Sequence, residues 1–339
     1  MKTIASQWGI HLAFTAAISL MILAAMDPGL FSRIPLPDLT ALQSFKTMFI
    51  SIVLEAFPFI LLGVLVSSCM QTLIPEQWVR RFVPRNPLLG ILFACLLGIL
   101  FPVCECGLIP VIRRLIAKGM PLYVGVVFIL VGPIVNPIVY AATYTAFRTR
   151  PEMVYARMGL ALAVGLIVGL IVYAFVSKNQ LKHSAAVFSI DEHDRDDGHR
   201  HNRSKLISML EHAGSEFIEM GKFLMFGAVA TAAIQAFLPR GNLVHLGQGA
   251  VMPHIFMMGL AYVLSLCSTS DAFVATSFIG TFSAGSLLTF LVFGPMLDFK
   301  STLMLFSVFK TRFVCLLAVL VAVTVLGGAM AAEHLLPNL

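Results

Sequence analysis

Residues 102–110 read Pro-Val-Cys-Glu-Cys-Gly-Leu-Ile-Pro and follow directly on an apolar run. Two thiols and a carboxylate are costly to place at membrane depth, so such residues are a functional-site hypothesis from the outset. A second polar stretch, Cys-Ser-Thr-Ser-Asp at residues 267–271, occurs about half a chain later. The two stretches predict two related breaks in membrane-spanning helices.

The composition around these stretches is that of a membrane protein. Of the 339 residues, 58% are hydrophobic and only 12% are charged, whereas about a quarter of the residues in a soluble domain are charged. Apolar runs of roughly 20 residues, enough to cross a bilayer, recur along the chain. We therefore predict an all-α polytopic membrane protein with about 8–10 spans.

The net charge of +6 does not indicate nucleic-acid binding. The lysines and arginines cluster at the ends of the apolar runs, where such side chains contact lipid headgroups. The expected partner is the lipid bilayer.

The two halves of the chain share a pattern of polar residues and glycines at nearly constant offset. The matched pairs are Glu55 and Glu219, Gly63 and Gly227, Cys104 and Cys267, and Gly132 and Gly294. We interpret this pattern as two tandem homologous repeats, an arrangement typical of secondary transporters with a substrate site near the membrane midplane.

The predicted organisation has four parts. They are an N-terminal span and loop at 1–46, a first transmembrane repeat at 47–177, a hydrophilic linker at 178–209, and a second transmembrane repeat at 210–339. The linker is rich in His and Asp and too polar to form a core, so we expect a solvated connection. Its composition would also allow it to collect divalent metal ions.

The Cys104-Glu105-Cys106 triplet is the first predicted substrate-binding element. Thiolates select soft metals and metalloids over hard cations. A closed structural zinc site needs four ligands, and the triplet offers fewer, so the pattern favours an open, reversible site. Cys104 and Cys106 are the candidate metal ligands, and the alternative is a structural kink with two buried cysteines.

The second half and the helix breaks add further candidates. Cys267, Thr269 and Asp271 are expected to complete the substrate site. The segments 107–118 and 271–282, each about twelve residues long, are too short to span a bilayer and predict half-helices or re-entrant arms.

Two proline-containing breaks are predicted next. Gly-Pro-Ile-Val-Asn-Pro at residues 132–137 should interrupt its span, because proline removes an amide donor and clashes with the preceding turn. Asn136 would present its amide there as a substrate ligand. Asp298 stands at the matching position of the second half and is predicted, with Glu55, to bind a coupling ion or relay protons. A plain proline kink, and a surface-facing acid at residue 55, are the alternatives.

The motifs at residues 102–110, Arg113-Arg114, Lys118-Gly119 and 132–137 together resemble the predicted permease family that includes ArsP, YraQ and YcgR, also called the UPF0718 permeases. The Cys-Glu-Cys triplet is most similar to the YcgR-type branch, and the resemblance covers about Phe45 to Phe313. It implies a multi-pass permease of the bacterial inner (plasma) membrane, working with a small partner membrane protein. The family's arsenical-binding cysteines would correspond to Cys104 and Cys106, with Cys267 a looser match.

The sequence thus predicts a secondary transporter that exports a small solute, with a soft metal or metalloid species as the expected substrate. We expect no enzymatic activity, no cofactor and no nucleic-acid partner, and the pattern allows a homo-oligomer. The alternative is a membrane-embedded oxidoreductase in which Cys104 and Cys106 cycle through a disulfide.

Overall fold

The computed structural model describes residues 39–73, 84, 86–100, 104–176, 180–181, 205–237 and 251–335. Within these ranges the chain forms α-helices and no β-strand, and two isolated β-bridges join Leu181 to Phe309 and Ile279 to Phe282. The predicted all-α membrane fold is confirmed. Most of the predicted N-terminal segment and most of the hydrophilic linker lie outside the described residues.

Twelve helices occupy the described ranges. Six precede the polar linker: α1 Leu39–Leu73, α2 Pro87–Leu100, α3 Glu105–Ala117, α4 Leu122–Val131, α5 Pro137–Ala146 and α6 Glu152–Phe175. Six follow it: α7 Lys205–Phe237, α8 Met252–Leu264, α9 Ser270–Thr276, α10 Ala284–Met296, α11 Phe299–Val308 and α12 Thr311–Leu335.

The chain divides into two compact units, Met1–Thr47 and Met48–Leu339. The described part of the first unit is the start of α1, where Thr47 Oγ1 donates a hydrogen bond of 2.9 Å to the Gln43 carbonyl. All the features discussed below belong to the second unit.

Among the residues that the structure describes, four segments are long and apolar enough to cross a bilayer. They are Leu42–Ser68, Glu152–Phe175, Ala284–Val308 and Thr311–Leu335. The apolar helices α2, α4 and α8 are shorter. Hydrophobic side chains such as Leu92, Leu96 and Val319 point outward on α2 and α12 and are more than half exposed, as expected of surfaces that face lipid.

The core of the second unit is built around α4 and α10. Every residue of α4 is buried, as is every residue of α10 from Gly285 to Met296. A helix that is apolar on all sides must be enclosed by other helices, and here α2 and α6 pack on α4 while α8 and α12 pack on α10. Helices α6 and α12 also pack against each other and join the two halves.

The short helices cross between the halves. Helix α3 packs on α11, and α9 packs on α5. Each half therefore places a short helix against a short helix of the other half. The order of long and short helices is alike in the two halves, whereas the proposed duplication itself stays a prediction.

Two helix breaks occur at the positions where proline and glycine predicted them. Helix α4 ends at Val131 and α5 begins at Pro137, and α10 ends at Met296, one residue after Pro295, before α11 begins at Phe299. Pro110 behaves differently, because α3 continues through it. A proline inside a helix removes the hydrogen bond to the carbonyl four residues earlier, and at Pro110 this loss does not end the helix.

Candidate functional site

The thiol motif forms the start of α3. Cys104 is the N-cap residue and Glu105 is the first helical residue. The side chain of Cys104 is partly exposed, whereas Glu105 and Cys106 are only 3% and 2% exposed. The thiols of Cys104 and Cys106 lie within interaction range of each other, and neither is in a disulfide. The arrangement buries a carboxylate and a thiol next to a second thiol that can still be reached.

Two glycines bring α1 and α3 into backbone contact. A Cβ atom added at Gly63 would overlap the carbonyl oxygen and the Cα of Gly107, so a residue with a side chain at position 63 would push the helices apart. Four residues further along α1, Ser67 Oγ donates a hydrogen bond of 3.4 Å to the Pro110 carbonyl. Helix α1 thus supports the backbone that carries Glu105.

Asp298 caps the start of α11. Its Oδ1 accepts a hydrogen bond of 2.5 Å from the Ser301 amide, and Ser301 Oγ accepts one of 3.1 Å from the Asp298 amide, which is a capping box. The other carboxylate oxygen, Oδ2, is buried and has no hydrogen-bond partner among the described residues. Asp298 therefore stabilises the start of α11 through Oδ1, and its Oδ2 remains available for a second role.

Lys300 lies beside Asp298, and the sequence analysis did not single it out. Its Nζ is 3.8 Å from Asp298 Oδ2, and the residue is only 6% exposed. Lys300 is within electrostatic range of Glu105, Cys104 and Cys106. A buried lysine thus faces the thiol motif across the contact between α3 and α11.

The second polar stretch links α8 to α9. Helix α8 ends at Leu264, and its C-cap residue Ser265 has a left-handed backbone conformation with φ of 45°. Thr269 Oγ1 donates to the Cys267 thiol at 3.6 Å. Cys267 is within electrostatic range of Glu105 and Glu55, so the two cysteine motifs, predicted to share a site, lie in the same region.

Asp271 forms a buried ion pair with a residue of the other half. Arg157 Nη2 lies 2.8 Å and 3.0 Å from the two carboxylate oxygens of Asp271. The same guanidinium donates to Thr143 Oγ1 at 2.7 Å and to the Ser268 carbonyl at 3.1 Å. Arg157 is fully buried, and it fixes the start of α9 against α5 and α6.

Glu55 reaches the same loop from α1. Ser270 Oγ donates a hydrogen bond of 3.4 Å to Glu55 Oε1. Glu55 is partly exposed, and its role in coupling stays a prediction. The side chain of Glu219, its predicted counterpart in the second half, lies outside the described residues.

Asn136 caps α5. Its Oδ1 accepts a hydrogen bond of 2.7 Å from the Ile138 amide, and the residue is 6% exposed. This contact serves the helix start. Asn136 and Asp298, predicted to be equivalent, each cap a helix of 10 residues.

Taken together, the structure places four groups within electrostatic range of Glu105, namely Cys106, Asp298, Lys300 and Asp271. In the described part of the chain, however, no three His, Cys, Asp or Glu side chains are close enough to hold a metal ion. The cluster is a set of paired charges and thiols rather than a preformed metal cage.

Arg157 and Lys300, which the sequence analysis did not single out, each carry a signal that could have identified them. Arg157 is the only basic residue of α6, and Lys300 is the only basic residue of the segment Ala284–Val308. A single charge in an apolar span marks a functional or paired position.

The arrangement is that of a multi-pass helical membrane protein with buried ionisable groups at the starts of short helices. A family model described as a predicted permease, ArsP_1, matches residues 41–334. The chain belongs to this family of predicted permeases of the bacterial plasma membrane, and the family resemblance inferred from the thiol motif is confirmed.

The chain is similar to two further proteins over most of its length. The chain is 46% identical to the UPF0718 protein YcgR of Bacillus subtilis over 303 residues, which cover 87% of this chain and 100% of the relative. It is 35% identical over 285 residues, covering 84% of this chain and 92% of the relative, to a protein of Streptococcus mutans serotype c that is named as a two-component membrane permease complex subunit. No solved structure matches significantly.

Proposed function

We propose that this permease moves a soft metal or metalloid cation, and that Cys104, Glu105 and Cys106 bind it. The carrying observation is the burial of a thiol and a carboxylate at the start of α3, beside a second, accessible thiol. Thiols prefer soft ions, and an unpaired oxygen, Glu105 Oε2, is buried there without a hydrogen-bond partner among the described residues. A buried carboxylate oxygen of this kind is costly unless a proton or a cation joins it.

The second half supplies the remaining contacts in this proposal. Cys267 lies in electrostatic range of Glu105 and would add a third sulfur after a small movement of the α8 to α9 loop. Two contacts hold that loop. Thr269 donates a hydrogen bond to Cys267, and Asp271 forms an ion pair with Arg157. An incomplete ligand set suits a transporter, because the ion must also leave.

Glu55 and Asp298 are the groups that we assign to coupling. Each lies on an element that contacts the opposite half, because Glu55 accepts a hydrogen bond from Ser270 and Asp298 caps α11, which packs on α3. We assign two roles to Asn136. Its side chain caps α5, and its amide is also available to bind substrate.

A partner subunit fits the same proposal. One relative is named as a two-component complex subunit, so we infer that this chain works with a second membrane protein. Transport should therefore be measured in cells that carry each substitution at the native locus, where any partner is present.

The test is metal accumulation in such cells, and in membrane vesicles prepared from them, for zinc, cadmium and trivalent arsenicals. Cys104→Ser and Cys106→Ser should abolish transport of at least one of these species, and Glu105→Gln should weaken it. Cys95→Ser is the matched control, since Cys95 is also a buried thiol but lies on α2, in the apolar core around α4. Unchanged transport of every species in all three site variants would refute the assignment.

A further inference from the structure

Lys300 offsets only part of the negative charge around Glu105. Asp271 is neutralised by Arg157 at 2.8 Å. Glu105 and Asp298 remain, and the basic residue in electrostatic range of both is Lys300. In their ionised forms two carboxylates and one ammonium leave one negative charge in excess, before either thiol ionises.

The backbone of Lys300 is held firmly. A Cβ atom added at Gly227 of α7 would lie 3.3 Å from the Lys300 Cα, so α7 packs directly on the start of α11. The capping box of Asp298 and Ser301 fixes the same turn. The ammonium, by contrast, stands at the end of a flexible four-carbon chain and is 3.8 Å from Asp298 Oδ2, beyond ordinary hydrogen-bond distance.

We propose that the Lys300 ammonium is the tethered counter-ion of the thiol and carboxylate site, and that a substrate cation binds by displacing it. This inference rests on the proposed function. It is consistent with the lack of a preformed metal cluster among the described residues, because Lys300 already lies beside Asp298 and within electrostatic range of Glu105 in this arrangement.

Displacement also makes Lys300 a determinant of specificity. A hard monovalent cation brings no more charge than the ammonium and binds thiols weakly, so it gains nothing by replacing Lys300. A soft divalent cation brings a second charge and bonds to sulfur. Lys300 therefore makes the site selective, because soft, highly charged ions can displace its ammonium and common cations cannot.

The first test is equilibrium binding of zinc and cadmium to the purified full-length chain. Lys300→Met should bind both ions about tenfold or more tightly than wild type, because a charge in a partly desolvated site is removed, and it should discriminate less against manganese. Lys300→Arg should retain the wild-type order of affinities. Lys222→Met, at an exposed lysine of α7, is the control and should match wild type. Unchanged or weaker zinc binding by Lys300→Met would overturn the counter-ion role.

A second test separates this inference from the proposed function. Lys300→Met should lower the melting temperature, and combining it with Glu105→Gln or Asp298→Asn should restore part of the loss, since the excess charge is then removed. If neither wild type nor any variant binds zinc or cadmium, the proposed substrate class fails, and the melting temperatures decide the role of Lys300. Purely additive losses in the double variants would refute that role.

Discussion

Arg157 of α6 and Asp271 of α9 form an ion pair of 2.8 Å that is almost completely buried and joins the two halves of the permease. The guanidinium also binds the Ser268 carbonyl and Thr143 Oγ1. One side chain therefore holds the loop that carries Cys267. The pair is a structural link whose loss would disturb the site from a distance.

Breaking this pair should destabilise the protein strongly. Arg157→Met and Asp271→Asn each leave a buried polar or charged group without its partner, which costs about 3–5 kcal/mol in the free energy of unfolding. Replacing both residues with leucine should recover much of the loss, because an apolar pair removes both desolvation penalties. Thermal unfolding of the purified chain in detergent measures both effects. Arg150→Met, at an exposed arginine, is the control, and single variants that melt like wild type would contradict the prediction.

The contact between Gly63 and Gly107 should be intolerant of any side chain. Gly63→Val would drive its Cβ into the backbone of Gly107, and such overpacking costs about 1–3 kcal/mol. It should also shift the start of α3 and reduce metal accumulation in cells.

The matched control for that variant is Gly259→Ala on α8. Nothing lies within 4 Å of a Cβ added there, so alanine should be neutral or stabilise the helix by about 0.5–1 kcal/mol. Equal melting temperatures and equal transport for Gly63→Val and Gly259→Ala would show that the close approach of α1 and α3 is unimportant.

Much of the fold follows from local sequence rules. The apolar runs predict helices because a bilayer leaves no other way to satisfy the backbone, and the break at residues 132–136 follows from Gly132, Pro133 and Pro137. At that break Asn136 is the N-cap residue of α5, a role that asparagine favours but that the sequence analysis did not assign to it. The path of α3 through Pro110 was harder to foresee, because a proline is tolerated near a helix start and not in its middle.

The pairing of the buried charges could not be read from the sequence. Arg157 and Asp271 are 114 residues apart, and Lys300 faces Glu105 only because α3 packs on α11. Such contacts depend on how the helices pack, and no local pattern encodes them. The sequence could mark each charge as unusual in its span but could not name its partner.

Glu55 offers a test of coupling that separates charge from contact. Glu55→Gln keeps an oxygen acceptor for Ser270 Oγ, whereas Glu55→Ala removes the acceptor as well. If Glu55 relays protons, both variants should lose gradient-driven transport in vesicles while still binding zinc. Ser270→Ala, which removes only the hydrogen bond, should retain most transport. Normal transport in Glu55→Gln would show that Glu55 does not relay protons and only accepts the hydrogen bond from Ser270.

Asp298 has a cap role and a proposed charge role, and two substitutions separate them. Asp298→Asn preserves the acceptor for the Ser301 amide, so its melting temperature should stay near wild type, with Glu105 still facing Lys300. Asp298→Ala removes the cap and should lose about 1 kcal/mol of stability. Both should lose most metal transport, because both remove the carboxylate beside Lys300. Ser301→Ala weakens the capping box but keeps that carboxylate, so it should transport nearly as well as wild type. Wild-type transport by Asp298→Asn would show that transport does not need the negative charge of Asp298. The only role of Asp298 would then be to cap α11.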